Sequence, residues 1–257
     1  MIRHNLALTA LAAALAVPGP AVALDFGTYV EDLLDAHSVQ LFGVVEPLSE
    51  SVPTTSGNYR TPSQPASDQV LLAKGLKVEY LTRNAANSVD MFAFWPNEAS
   101  PTHLIACIEG SRSQLKGDAN TTGYAPGDKF NPSVQRIDLS SGAVETILRG
   151  MSACDGIRTT PWGTVLATEE ADDGGAYEIL NPLATTNYTV KDRATGEIVN
   201  AIGAPDIDEI VKRLALPVIA WEGLDNAPEG VVYAGDEERP GTTADGAGST
   251  NDRDGGA

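Results

Sequence analysis

Histidine is almost missing from this chain. Three occur in 257 residues, at positions 4, 37 and 103, too few for a zinc centre built on imidazole. Basic residues are scarce too: 17 Lys and Arg stand against 35 Asp and Glu, a formal net charge of −18. That balance argues against nucleic acid, whose phosphates need Lys and Arg, and equally against an anionic membrane surface. No Ser sits in a Gly-x-Ser-x-Gly elbow. Beyond the N-terminus no apolar run is long enough to span a bilayer. Cysteine occurs twice, as Cys107 and Cys154. Such a pair forms a disulfide, two buried thiols, or one thiol free to bind a metal.

The N-terminus has the make-up of a secretory signal. Arg3 and His4 form a short polar start, residues 5–17 are mostly apolar, and Pro18 and Pro20 break the run. Ala21-Val22-Ala23 is an A-x-A site, so cleavage is expected after Ala23. There is no twin-Arg pair and no cysteine at the cleavage site. The expectation is Sec-type export of residues 24–257 to the periplasm or beyond. The acidic surplus then fits a solvated surface, or carboxylates held together by divalent cations.

At 42% hydrophobic the chain can bury a core. Residues 24–37 predict one short amphipathic helix, with Tyr29, Leu33 and Leu34 on one face. Residues 47–68, rich in Ser, Thr, Pro and Gly, predict a linker. From about Val70 the pattern turns to short β-forming runs: "LKVEYLT", "DMFAFW", "HLIACIE", "VQRIDL", "AVETIL", "TVLATEE", "AYEIL", "YTVKD", "GEIVNAI" and "GVVYAGDE". "RIDLSSGAVETIL" and "TVKDRATGEIVNAI" predict hairpins. Only "DIDEIVKRL", residues 206–214, predicts a helix there. Many short, hairpin-linked strands mean an all-β sandwich, barrel or propeller.

A repeat favours the propeller. Three strands end in acid: "THLIACIEG" at Glu109, "GTVLATEE" at Glu169 and Glu170, and "GVVYAGDEE" at Asp236, Glu237 and Glu238. The steps are 60 and 67 residues, longer than the roughly 40–50 of ordinary blades. If these are innermost strands, their acids meet at one mouth of a channel, where cations are needed to hold them together. Residues 70–257 supply about three to four blades where propellers have 4–8. The tail from Glu238 to Ala257 holds no apolar strand. The sequence is then either a short form that completes itself by pairing or, the favoured expectation, the N-terminal portion of a longer propeller.

Adjacent residues on a strand point to opposite faces, so Glu169 and Glu170 share one metal only where the strand ends and twists. Hard carboxylate oxygens suit Ca²⁺; the other reading is a solvated strand end. Cys154, in "SACDG", is a buried thiol or a ligand for a softer metal. Glu222, in "AWEGLDNAPEG", and Glu109, in "IACIEGS", are further single carboxylates.

"TPWGTVLATEE", preceded by Cys154 and followed by "AWEGLD" and "VVYAGDEER", resembles the PhoX-type alkaline phosphatase family, with "PTHLIACIEGS" as an earlier acidic strand. The resemblance covers about Phe92 to Ala257. It implies a secreted six-bladed β-propeller whose channel holds iron and calcium and hydrolyses phosphate monoesters. On that resemblance Cys154 is the iron-binding thiolate, and Glu169 and Glu170 bind metal, calcium in particular. Glu222 and Glu109 are further metal ligands, with Asp236 and Glu237 as lesser candidates. Trp162 and Gly163 shape the turn. The cofactors implied are Ca²⁺ and Fe³⁺, and the substrate is a small phosphate ester. Three departures stand out: Arg158 lies in a longer stretch before Trp162, the twin-Arg signal is absent, and the later blades are absent. The alternatives are a non-catalytic calcium-stabilised propeller used for binding, and a lactonase-like hydrolase with one calcium.

Overall fold

The structure, a computed structural model, describes residues 25–51, 64–112, 130–205 and 208–237. The N-terminal stretch expected to be a signal and the tail from Glu238 lie outside the described residues. No helix among the described residues is long and apolar enough to cross a membrane. The chain divides into two compact units, one ending at Tyr80 and one beginning at Leu81.

In the first unit, helix α1 spans Phe26–Ala36 and α2 spans Ser38–Phe42. The Asp25 carboxylate caps α1 by accepting from the Thr28 N–H at 3.1 Å, which satisfies one of the donors a helix start leaves open. Gly43 ends α2 in the left-handed region at φ 71°, where glycine carries no Cβ penalty. Downstream, Glu46 and Lys74 form an isolated antiparallel bridge and an ion pair.

The second unit is all-β. Strands β1 (Val89–Trp95), β2 (His103–Ile108), β3 (Pro132–Asp138) and β4 (Val144–Arg149) form an antiparallel meander in chain order. Strands β5 (Cys154–Thr159), β6 (Val165–Glu169) and β7 (Ala176–Ile179) form a second meander, with β10 (Ile210–Lys212) on its outer edge. Between β7 and β10 in sequence, β8 (Tyr188–Asp192) and β9 (Glu197–Val199) form a hairpin that adds to the far edge of the first sheet, β8 lying parallel to β4. Strands β11 (Trp221–Asn226) and β12 (Val232–Asp236) form a third, two-stranded sheet. Strand β5 packs against β1 on one side and β11 on the other.

The main core lies between the first two sheets and includes Ile105, Cys107, Ile147, Cys154, Ile157, Val165, Tyr177 and Ile179, all fully buried. A smaller cluster of Leu166, Ala176, Trp221 and Leu224 covers the other face of the second sheet. That sheet is thus buried on both faces, so β6 and β7 lack polar alternation.

The two expected hairpins form, as β3–β4 and β8–β9. Two expectations are corrected. The expected helix over 206–214 does not form in its described part, residues 208–214: Ile210, Val211 and Lys212 pair with Ile179, Glu178 and Tyr177. A helix would have had to bury Leu214 beside Ile210, whereas Leu214 is exposed and Ile210 completes the core as a strand residue. The "LKVEYLT" segment forms no strand. Residues 154–159, not among the runs expected from sequence to be strands, are strand β5. Gly156 is required there: a Cβ would lie 2.5 Å from Thr168 Oγ1 and 3.1 Å from the Leu224 Cβ.

Candidate metal centre

Three hairpins share one backbone pattern. In β1–β2, Val89 pairs with Ile108, the register slips after Val89, and Glu109 N–H donates to the Ser88 carbonyl at 2.8 Å. In β5–β6, Cys154 pairs with Glu169, the register slips after Cys154, and Glu170 N–H donates to the Ala153 carbonyl at 2.7 Å. In β11–β12, Trp221 pairs with Asp236, the register slips after Trp221, and Glu237 N–H donates to the Ala220 carbonyl at 2.8 Å. Such irregularities re-aim side chains and are common beside functional sites. Each hairpin places acid at the same two points. The second residue of its first strand is Asp90, Asp155 or Glu222, at steps of 65 and 67 residues. The residue just past its second strand is Glu109, Glu170 or Glu237.

Because β5 lies between β1 and β11, these acids converge. Asp155, Glu170 and Glu222 each bring a carboxylate oxygen within 4.8 Å of the others. Asp155 is buried, Glu170 half-buried and Glu222 exposed. Glu109 hydrogen-bonds Glu170, and Glu222 hydrogen-bonds Asp155. Burial first, then the charges of Asp90 and Glu222, push the Asp155 carboxyl up to about 7. Burial, then the charges of Glu109, Glu222 and Asp155, raise Glu170 as well. Like charges about 4 Å apart repel by about 1 kcal/mol in water and about 4 kcal/mol near a protein surface. The group therefore either keeps protons or takes up a cation.

The chemistry of the donors decides which cation fits. They are all carboxylate oxygens, the hard donors that Ca²⁺ accepts. Of the ligands expected from sequence, Glu109, Glu170 and Glu222 come together here. Glu169 does not. It is fully buried on the other side of β6 and accepts from Arg193 Nε at 2.7 Å, Ser152 N–H at 2.8 Å and Gly175 N–H at 3.1 Å. Its oxygens are already occupied by a cationic side chain and two backbone donors.

Cys154 is also corrected. It is bonded to Cys107, with the two Cα atoms 5.1 Å apart. No thiolate remains while that bond holds, so the expected iron–sulfur contact has no ligand. The disulfide instead ties β2, which leads into Glu109, to β5, which carries Asp155. Of the acid-ended strands, β2 and β6 are interior to their sheets, and β1 and β5 are the edges in contact with each other. In the third hairpin, Asp236 lies opposite Trp221 and Glu237 takes the position equivalent to Glu109 and Glu170; neither belongs to the triad. Glu238 lies outside the described residues.

Sequence reasoning missed Asp155 and Asp90. A signal was present: Ala153-Cys154-Asp155-Gly156 and Ala220-Trp221-Glu222-Gly223 share the order small, apolar, acid, glycine. Aligning the start of each hairpin as well as its end would have found Asp155. The "TPWG" turn is structural. Gly163 takes φ 85°, Thr160 and Thr164 hydrogen-bond across it, and Trp162 Nε1 donates to Glu178 at 2.6 Å. No protein-family model matches this chain, and no curated protein matches it.

Proposed function

We propose that this is a secreted β-propeller protein of the PhoX phosphatase type. In this reading Asp155, Glu170, Glu222 and Glu109 hold hard cations, calcium foremost, that serve phosphate-monoester hydrolysis. The observation that supports it is the convergence of three carboxylates from two hairpins within 4.8 Å, with Glu109 of a third hydrogen-bonded to Glu170. The repeated bulged hairpin, with its acids always at the same two points, fits successive blades around one axis. A bound cation would lower the pKa of a water and neutralise phosphate oxygens. The chain's own part is to fix the cations: Asp155 from inside β5, Glu170 and Glu109 from strand ends, Glu222 from the open side. An acidic protein repels a phosphate dianion unless the local field is reversed, and only bound cations reverse it here. Iron, if held, would rest on these same oxygens without sulfur.

The disulfide favours a second reading. With Cys154 spent on Cys107, the same acids would serve a calcium-stabilised propeller that binds without catalysis. Phosphatase assay of the purified chain, metal-stripped and reloaded with Ca²⁺, with Fe³⁺ or with both, decides between them. Cation-dependent hydrolysis that Glu170→Gln abolishes supports the phosphatase. Tight calcium binding with no hydrolysis under any loading supports the binding module. Failure to bind either cation overturns both.

A further inference from the structure

A second feature lies along the strands that carry the acids. A cleft of about 910 Å³ is lined by Phe92 and Phe94 of β1, Arg158 and Thr159 of β5, and Asp225 and Asn226 of β11. The volume is within the usual range for organic ligands. Arg158 and Asp225 lie three residues beyond Asp155 and Glu222, about 10 Å along a strand. The cleft and the acid cluster therefore lie along the same strands.

Its chemistry differs from that of the cluster. Phe92 and Phe94 are 46% and 43% exposed and share the face of β1 that carries Asp90, while Met91, Ala93 and Trp95 turn to the core. Aromatic rings left open in a cleft gain most from another ring stacked offset or edge-on. The Arg158 guanidinium is held by three partners: Asp225 Oδ1 at 3.5 Å, the Ile157 carbonyl at 2.9 Å and Met91 Sδ at 3.2 Å. With its charge matched by Asp225, it is poorly placed to take a phosphate, but its plane can stack on a ring. Thr159 Oγ1 donates to the Phe94 carbonyl at 2.7 Å and fixes β5 against β1. The side-chain amide of Asn226 is shielded from solvent and has no hydrogen-bond partner among the described residues, a cost that a polar substituent reaching it would remove.

We infer that this cleft receives the organic part of an aromatic phosphate monoester, its ring between Phe92, Phe94 and Arg158 and its phosphate at the acid-bound cations. The inference rests on the phosphatase reading for the phosphate end only. The test compares 2-naphthyl phosphate with methyl phosphate on the calcium- and iron-loaded full chain, and separately measures binding of 2-naphthol by its fluorescence. In the Phe92→Ala/Phe94→Ala double variant, the kcat/KM ratio of naphthyl over methyl ester is expected to fall about tenfold, and naphthol binding to weaken in step. Should that variant fail to fold by circular dichroism, Arg158→Lys, which keeps the charge but loses the plane, is expected to lower the ratio and the naphthol affinity. An unchanged ratio, or a wild-type chain that does not bind naphthol, overturns the inference. Hydrolysis of neither ester with naphthol binding intact and lost in the variant removes the phosphatase reading and leaves the aromatic cleft standing.

Discussion

Arg193 Nε meets Glu169 Oε1 at 2.7 Å beneath the second sheet, with the carboxylate wholly buried. Arg193 also reaches Asp173 at 2.7 Å. One residue further along the chain, Glu170 points the other way, into the acid cluster. The two neighbours therefore do opposite work. Arg193→Met leaves a buried carboxylate without its charge partner and should destabilise by about 3–5 kcal/mol. The loss should be the same with and without calcium. Urea denaturation in both conditions checks it, and a calcium-dependent difference would return Glu169 to the metal site.

Glu170→Gln and Glu222→Gln should behave in the opposite sense. Each removes a ligand, so each should shrink the rise in Tm that calcium gives the wild type. Metal-stripped, both should be as stable as the wild type or slightly more, because a repelling charge has gone. Thermal denaturation against calcium concentration measures this, and full retention of the calcium effect in both variants would remove them from the ligand set.

Asp155 sets the pH behaviour of the cation-free chain. Its folded pKa of about 7 lies above the ordinary aspartate value of 3.8, chiefly through burial and then the Asp90 and Glu222 charges. The folded state thus holds this proton more tightly than the unfolded state, and stability should fall as pH rises from about 4 to about 7. Asp155→Asn should flatten that part of the curve. Saturating calcium should also flatten it, since the ion binds the ionised carboxylates. Tm measured across pH 4–8 on metal-stripped protein gives the answer; a wild-type profile that climbs over that window would contradict the burial of Asp155.

The Cys107–Cys154 bond closes a separation of 47 residues, a loop for which chain entropy gives about 4 kcal/mol of stabilisation. Cys107→Ser/Cys154→Ser should lose up to that amount in denaturant. Calcium should still bind, more weakly, because β2 and β5 are no longer tied beside Glu109 and Asp155. Loss of iron but not of calcium from this variant, seen by elemental analysis, would instead restore a thiolate role for Cys154.

Much of the fold is legible in single segments. "VQRIDLSSGAVETIL" folds as a hairpin because its β-branched runs flank a turn whose Gly142 takes φ 69°. The helix over Phe26–Ala36 follows from its apolar spacing and from Asp25 as cap. The site was half legible. Glu109, Glu170 and Glu222 stand out as acids at strand ends or beside a tryptophan. Asp155 did not, because "CDGIRT" has neither alternation nor a run of β-formers and becomes a strand only by pairing with β6. "DIDEIVKRL" misled in the other direction: its apolar spacing suits a helix, yet the open edge of β7 captures Ile210 and Val211.

Composition and local pattern were enough to determine an acidic, all-β chain with a short leading helix, hairpins at known places and carboxylates recurring at fixed points. Tertiary structure decided which of those carboxylates meet. Alternation along a strand sends Glu169 to Arg193 and Glu170 to Asp155, and only the packing of β1, β5 and β11 brings residues some 65 positions apart to within hydrogen-bonding reach. It also joined Cys154 to Cys107. Spacing along a chain states how often a charge recurs; whether two charges share a solvent depends on the sheets between them.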